Sequence, residues 1–124
     1  MSEIRKFETG ATRDTDKGKL DYEGFLSPIV LKRYAEYLDK HRLQADGSLR
    51  GSDNWQGGIP PNVYMKSLLR HVIDIWLLHD GFPEDATIPD IEEALCAVIF
   101  NAMGYLFEEL KESKVLDEPF GIHF

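Results

Sequence analysis

A chain of 124 residues, 43% apolar and 29% charged, is long enough for one domain with a modest core. Its net charge of −8 argues against a general DNA or RNA binder, because phosphate contacts along a duplex need clustered Lys and Arg. Small phosphorylated ligands stay open, since a few local cations or a metal ion can override net charge. The single cysteine, Cys96 in "ALCAVIF", excludes an internal disulfide and a cysteine-based zinc site, and reads as a buried thiol.

Residues 1–26 read as an irregular arm. "MSEIRKFETG" has no apolar core of a signal peptide, and no strand signal competes. Ser27-Pro28 is a helix start, with a capping hydroxyl before a proline at the first helical position. Apolar residues at Ile29, Val30, Tyr34, Tyr37, Leu38 and Leu43 then predict a helix over 27–43. "QADGSLRGSDNWQGGIPP" reads as a long loop, of a length that in a compact domain is often functional. A second helix is expected over 61–79, broken by "HDGFPEDATIPD", and a third over 89–112 through "IEEALCAVIFNAMGYLFEELK". The His79-Asp80 pair reads as helix termination before a metal site. The third helix is apolar around most of its circumference, which in so small a chain predicts burial against another subunit. The chain closes on a short tail, "DEPFGIHF". Residues 1–124 therefore read as one all-α domain of three to four main helices, a homo-oligomer in the cytoplasm. No apolar run reaches membrane-spanning length, so no membrane partner is expected.

Polar residues on these helices mark candidate sites. Ser67, His71 and Asp74 share one stripe of the second helix, with Arg70 beside it. Asp90 and Glu93 open the third, and their stripe continues through Ala97, Asn101, Gly104 and Glu108. Ala97 and Gly104 are small enough to admit a helix or a ligand. Asn101, an amide inside an apolar helix, must find partners. Packing the two helices together would gather His71, Asp74, Asp90 and Glu93, and carboxylates so gathered need a hard cation, Mg²⁺ or Mn²⁺. The competing reading makes Asp90 a helix cap and His71 a hydrogen-bonded core residue. In the arm, Lys17 and Lys19 flank Gly18 and can reach phosphates as point charges, or stand as solvated charges. Trp55 can stack on a base while Asn54 reads its edge, or it can pin the loop to the core.

In this order, "DKGKLDY", "YAEYLDKH", "NWQGGI", "SLLRHVIDIWLLHDG" and "DIEEALCAVIFNAMGYL" resemble a family common in bacteriophages, the dATP/dGTP diphosphohydrolase-like proteins, related in outlook to the MazG-type all-α nucleotide pyrophosphohydrolases. The likeness covers about residues 16–107. It implies a MazG-like helical packing, an oligomer, and a pocket for purine deoxynucleoside triphosphates that releases pyrophosphate with Mg²⁺. Carried over by position, it points to Gly18, Lys19, Asn54, Trp55, Arg70, His71 and Asn101. The MazG-type pattern of E-x-x-E followed by E-x-x-D is met only in part: this chain has His71-x-x-Asp74 and then Asp90-x-x-Glu93, with Cys96 where an aspartate would follow.

The first expectation is a Mg²⁺-dependent hydrolase of (d)NTPs to monophosphate and pyrophosphate. In it His71, Asp74 and Glu93 are catalytic and Asp74, Asp90 and Glu93 bind metal, while Lys17, Gly18, Lys19, Asn54, Trp55, Arg70 and Asn101 hold substrate. The alternative, motivated by the missing carboxylate, is a non-catalytic protein that sequesters a nucleotide. A helical interaction module is a third.

Overall fold

The computed structural model describes residues 3–113; the tail "DEPFGIHF" lies outside them. The chain divides into two compact units, Met1–Lys32 and Arg33–Phe124, with the division falling inside a helix. The helices that dominate it run Tyr22–Phe25 (α1), Pro28–Lys40 (α2), Pro61–His79 (α3) and Ile91–Ser113 (α4).

The first unit is not the irregular arm that its sequence suggests. Strand β1 (Ile4–Lys6) pairs antiparallel with β2 (Thr12–Asp14), Arg5 opposite Arg13. Gly10, at φ 92°, turns the chain between them. "IRK" and "TRD" bury no apolar face, so the strands carry none of the alternation by which a strand is read. Backbone hydrogen bonds and Arg5 Nε donating to the Asp14 carbonyl at 2.9 Å hold the hairpin instead. Asp21 caps α1 by accepting from the Gly24 amide at 2.9 Å.

Helix α2 begins as expected: Ser27 Oγ accepts from the Val30 amide at 3.3 Å, ahead of Pro28. It ends at Lys40, three residues before the expected Leu43, in a turn closed by the His41 and Arg42 amides. Leu43 instead forms an antiparallel bridge with Leu49. The loop after α2 is therefore a small hairpin, turning at Asp46 and Gly47 (φ 86°), followed by a 3-10 turn over Asn54–Gly57. The Asp46 carboxylate fastens that turn, accepting from the Ser48 amide at 2.9 Å and hydroxyl at 2.6 Å.

Helices α3 and α4 keep the expected bounds to within a residue or two and pack together as an antiparallel pair. The small residues of α4 explain how closely. Gly104 is buried, and a Cβ there would overlap the Tyr64 ring and lie 2.6 Å from its Oη. Tyr64, 1% exposed, fills that space and meets Phe100 edge-on at 6.0 Å. A second cluster joins Tyr34 and Tyr37 of α2 to Cys96 and Ala97 of α4, with Leu38, Ile88, Phe100 and Met103 around it. The Cys96 thiol is buried, and burial pushes its pKa up, as an inert core thiol requires.

Among the described residues no helix is long and apolar enough to cross a membrane. Gly104→Ala should cost about 3 kcal/mol, the upper end for an added methyl in a packed core, because a rigid ring has no room to yield. Urea unfolding of the variant beside the wild type measures it, and an unchanged midpoint would refute the close packing.

Candidate functional site

A cavity of about 310 Å³ opens among the C-terminal half of α2, the hairpin loop, α3 and α4, and every residue that lines it belongs to the second unit. Its size falls at the lower end for small-ligand sites. Tyr37, Trp55 and Phe100 supply aromatic wall, Ser67 and His71 come from α3, and Asn101 comes from α4. Arg42 and Arg50 complete it from the hairpin. No described residue lining the cavity is acidic, in a chain of net charge −8.

The hairpin makes the two arginines neighbours. The Arg50 amide donates to the Arg42 carbonyl at 3.0 Å, and Arg42 Nε donates to the Arg50 carbonyl at 2.9 Å. Asp39 takes part of the Arg42 charge at 3.2 Å. Arg50 has no carboxylate partner among the described residues. His41 lines the same wall, tilted against Tyr37 with ring centroids 4.3 Å apart. Partial burial, and then Lys40, lower its pKa, which favours the neutral ring.

Trp55 pins the loop, the second of the two roles its sequence context allows. Its ring meets Phe107 edge-on at 5.0 Å and Phe100 at 6.2 Å, which fixes the 3-10 turn onto α4. It also forms cavity wall, with Asn54 next to it. The buried amide of Asn101 donates to the Ala97 carbonyl at 2.8 Å, one turn back along α4. That bond uses one donor and leaves the rest of the amide for the cavity.

His71 and Asp74 lie together, as their stripe predicts. Asp74, 2% exposed, accepts from the Thr87 amide at 2.8 Å and the Thr87 hydroxyl at 2.6 Å. His71 Nδ1 is buried 3.5 Å from Asp74 Oδ2, a separation that makes no hydrogen bond, and it has no other hydrogen-bond partner among the described residues. Burial raises the Asp74 pKa, but the Thr87 bonds and His71 outweigh it, and the net shift is downward.

The expected gathering of carboxylates does not occur. Asp90 caps α4, its Oδ1 accepting from the Glu92 and Glu93 amides at 2.9 and 3.3 Å. Glu93 is held by Arg33 at 2.7 Å and by Lys40, and these two cations lower its pKa. With both Asp74 oxygens engaged by Thr87, each of the three acids is committed to a different structural partner. No three His, Cys, Asp or Glu side chains among the described residues come together as a metal site. The residues as arranged do not fit the Mg²⁺ or Mn²⁺ ligand set expected from the sequence.

Of the other expected residues, Arg70 is exposed and donates to Ser67 Oγ at 3.0 Å, outside the cavity wall. Lys17, Gly18 and Lys19 belong to the first unit, in an exposed turn where Gly18 has φ 84° and the Lys19 amide donates to the Asp16 carbonyl at 2.9 Å. Asn54, Trp55, His71 and Asn101 are the expected residues that the structure brings together. Tyr37, His41, Arg42 and Arg50 were missed. A signal for the arginines existed: Asp46-Gly47 is a hairpin turn, and such a turn sets Arg42 opposite Arg50.

Comparison of the chain with protein-family models, curated proteins and solved structures found no match in any of the three.

Asp74→Ala should cost about 2 kcal/mol at neutral pH, since it strips the Thr87 amide and hydroxyl of their acceptor. A carboxylate with a depressed folded pKa adds stability above its ordinary value of about 3.9, and that stability is lost as pH falls through the folded value. The gap between wild type and variant should therefore narrow only below about pH 4. Urea midpoints measured from pH 7 to pH 3 would show this, and a gap that widens in acid would refute it.

Proposed function

We propose that this cavity binds a nucleotide, with the base against the aromatic wall and the phosphates toward Arg42 and Arg50. The observation that carries this reading is Arg50 beside Arg42, without a carboxylate partner among the described residues and on a wall where no described residue is acidic, within an acidic chain. A guanidinium fork matches phosphate oxygens in pairs, and clearing carboxylates from the wall removes repulsion of an anion. Trp55 and Tyr37 offer flat faces for a base, and Asn54 and Asn101 offer amides for its edge. The resemblance to the dATP/dGTP diphosphohydrolase-like proteins points the same way, toward a purine deoxynucleoside triphosphate.

Hydrolysis of that ligand to the monophosphate and pyrophosphate is a second reading. It is favoured by His71, which lines the cavity with a buried carboxylate behind it, as a proton-exchanging imidazole requires. Sequestration without turnover is the reading nearer to the geometry, because Asp74, Asp90 and Glu93 are committed elsewhere. We further propose that the chain acts as a homo-oligomer, since α4 is apolar on more than one side.

Titration of the protein with dATP, dGTP and inorganic triphosphate, with and without Mg²⁺, should give saturable binding of the nucleotides. Pyrophosphate release, assayed on the same samples, separates hydrolysis from sequestration. Trp55→Ala should weaken nucleotide binding about tenfold or more by loss of stacking. Arg50→Ala, at an exposed position, should weaken nucleotide and triphosphate alike. Absence of saturable binding by the wild type, or affinities that both variants leave unchanged, would refute the site.

A further inference from the structure

The cavity wall that holds the two arginines also holds a histidine. His41 follows α2 directly, its amide donating to the Leu38 carbonyl at 3.2 Å, and so stands beside Arg42 at the start of the hairpin. The hairpin then brings Arg50 back against Arg42. Three nitrogen-bearing side chains therefore share one wall, and all three line the cavity. The His41 ring rests on the buried Tyr37, with centroids 4.3 Å apart and planes inclined at 49°, while His41 itself is exposed to solvent. The aromatic contact fixes where the imidazole stands, and its exposure leaves it within reach of an ion on that wall.

The charged and titratable groups around His41 come from every neighbouring element. Lys40 precedes it and is joined to Glu93 of α4, while Asp39 is joined to Arg42. The hairpin contributes Arg42 and Arg50, and α3 contributes His71 to the same cavity. Glu93 is engaged by Arg33 and Lys40 and Asp39 by Arg42, so no carboxylate among the described residues pairs with the imidazole. Partial burial and Lys40 hold its pKa below the ordinary value of about 6.5, and Glu93 offsets them only in part. Without an anion on the wall, the ring is neutral at pH 7. An anion laid against Arg42 and Arg50 reverses that balance, because an opposite charge within about 4–6 Å favours the protonated ring. We infer that His41 is a third phosphate-binding group of this cavity, which takes up a proton when a polyphosphate lies against Arg42 and Arg50 and so reads the charge of the ligand. Each bound nucleotide then draws up to one proton from solvent onto the imidazole. A neutral nucleoside gives the ring no such partner, so the preference for nucleotide over nucleoside strengthens as pH falls.

This rests on the reading of the cavity as a nucleotide site with its phosphates at the two arginines. Calorimetric titration of the full chain with dATP, inorganic triphosphate and deoxyadenosine, at pH 8 and at pH 6, measures the linkage. From pH 8 to pH 6 the affinity for dATP and for triphosphate should rise about tenfold more in the wild type than in His41→Asn, one unit of pKa shift being tenfold. The variant is the reference because a terminal phosphate itself takes up a proton near pH 6. Deoxyadenosine should show no such difference. His41→Lys, which keeps its charge at both pH values, should bind triphosphate at pH 8 about tenfold more tightly than the wild type does. The His41 ring signals, followed by NMR in the wild type, should titrate at a higher midpoint once triphosphate is added. Saturable nucleotide binding whose pH dependence His41→Asn leaves unchanged, or a His41 midpoint that triphosphate does not raise, would overturn this inference and leave the nucleotide site standing. Absence of saturable binding at both pH values would overturn the nucleotide site and this role of His41 together. Should His41→Asn lose helix content by circular dichroism, His41→Lys and the wild-type NMR titration decide the question.

Discussion

The ring of Tyr64 occupying the space where Gly104 lacks a side chain is the contact on which the second unit depends. It sets how closely α3 approaches α4. That spacing fixes where the next turn of each helix comes: Ser67 and His71 from one, Phe100 and Asn101 from the other. A wider separation would flood the cavity floor, and a closer one is barred by the ring itself. The cavity is thus a consequence of packing one large residue against the smallest one.

Charge in this chain is segregated by partner, not by region. The carboxylates that a sequence reader gathers into one metal site are each spent on the fold: Asp74 ties the connector at Thr87 back to α3, Asp90 starts α4, and Glu93 joins α4 to Arg33 and Lys40 of α2. What remains on the cavity wall is cationic and polar. A strongly acidic chain can in this way present a locally basic concavity, because opposite charges within reach of one another neutralise first and Arg50 has no carboxylate partner among the described residues.

Trp55 shows how one side chain can both pin a loop and form cavity wall. Its edge-on contacts with Phe100 and Phe107 immobilise a glycine-rich loop, and the same immobilised ring then forms wall for the cavity. A side chain ordered in advance by such contacts removes an entropic cost that a ligand would otherwise meet.

The long helices were legible in the sequence because their signals are local. Ser27-Pro28, Pro61 and Asp90 mark starts, and apolar recurrence carries α3 and α4 through to their ends. The pairing of His71 with Asp74 and the inward stripe of Ala97, Asn101 and Gly104 followed from helical period alone. The exposed N-terminal hairpin was not legible, since no burial patterns its strands. Nor were the assignments of acids to partners, which depend on residues 13 positions away for Asp74 and 60 away for Glu93. Periodicity states which side chains share a face of one helix. Only tertiary packing decides what that face meets, because Arg33 and Thr87 reach Glu93 and Asp74 through space and leave no trace in the spacing of the sequence.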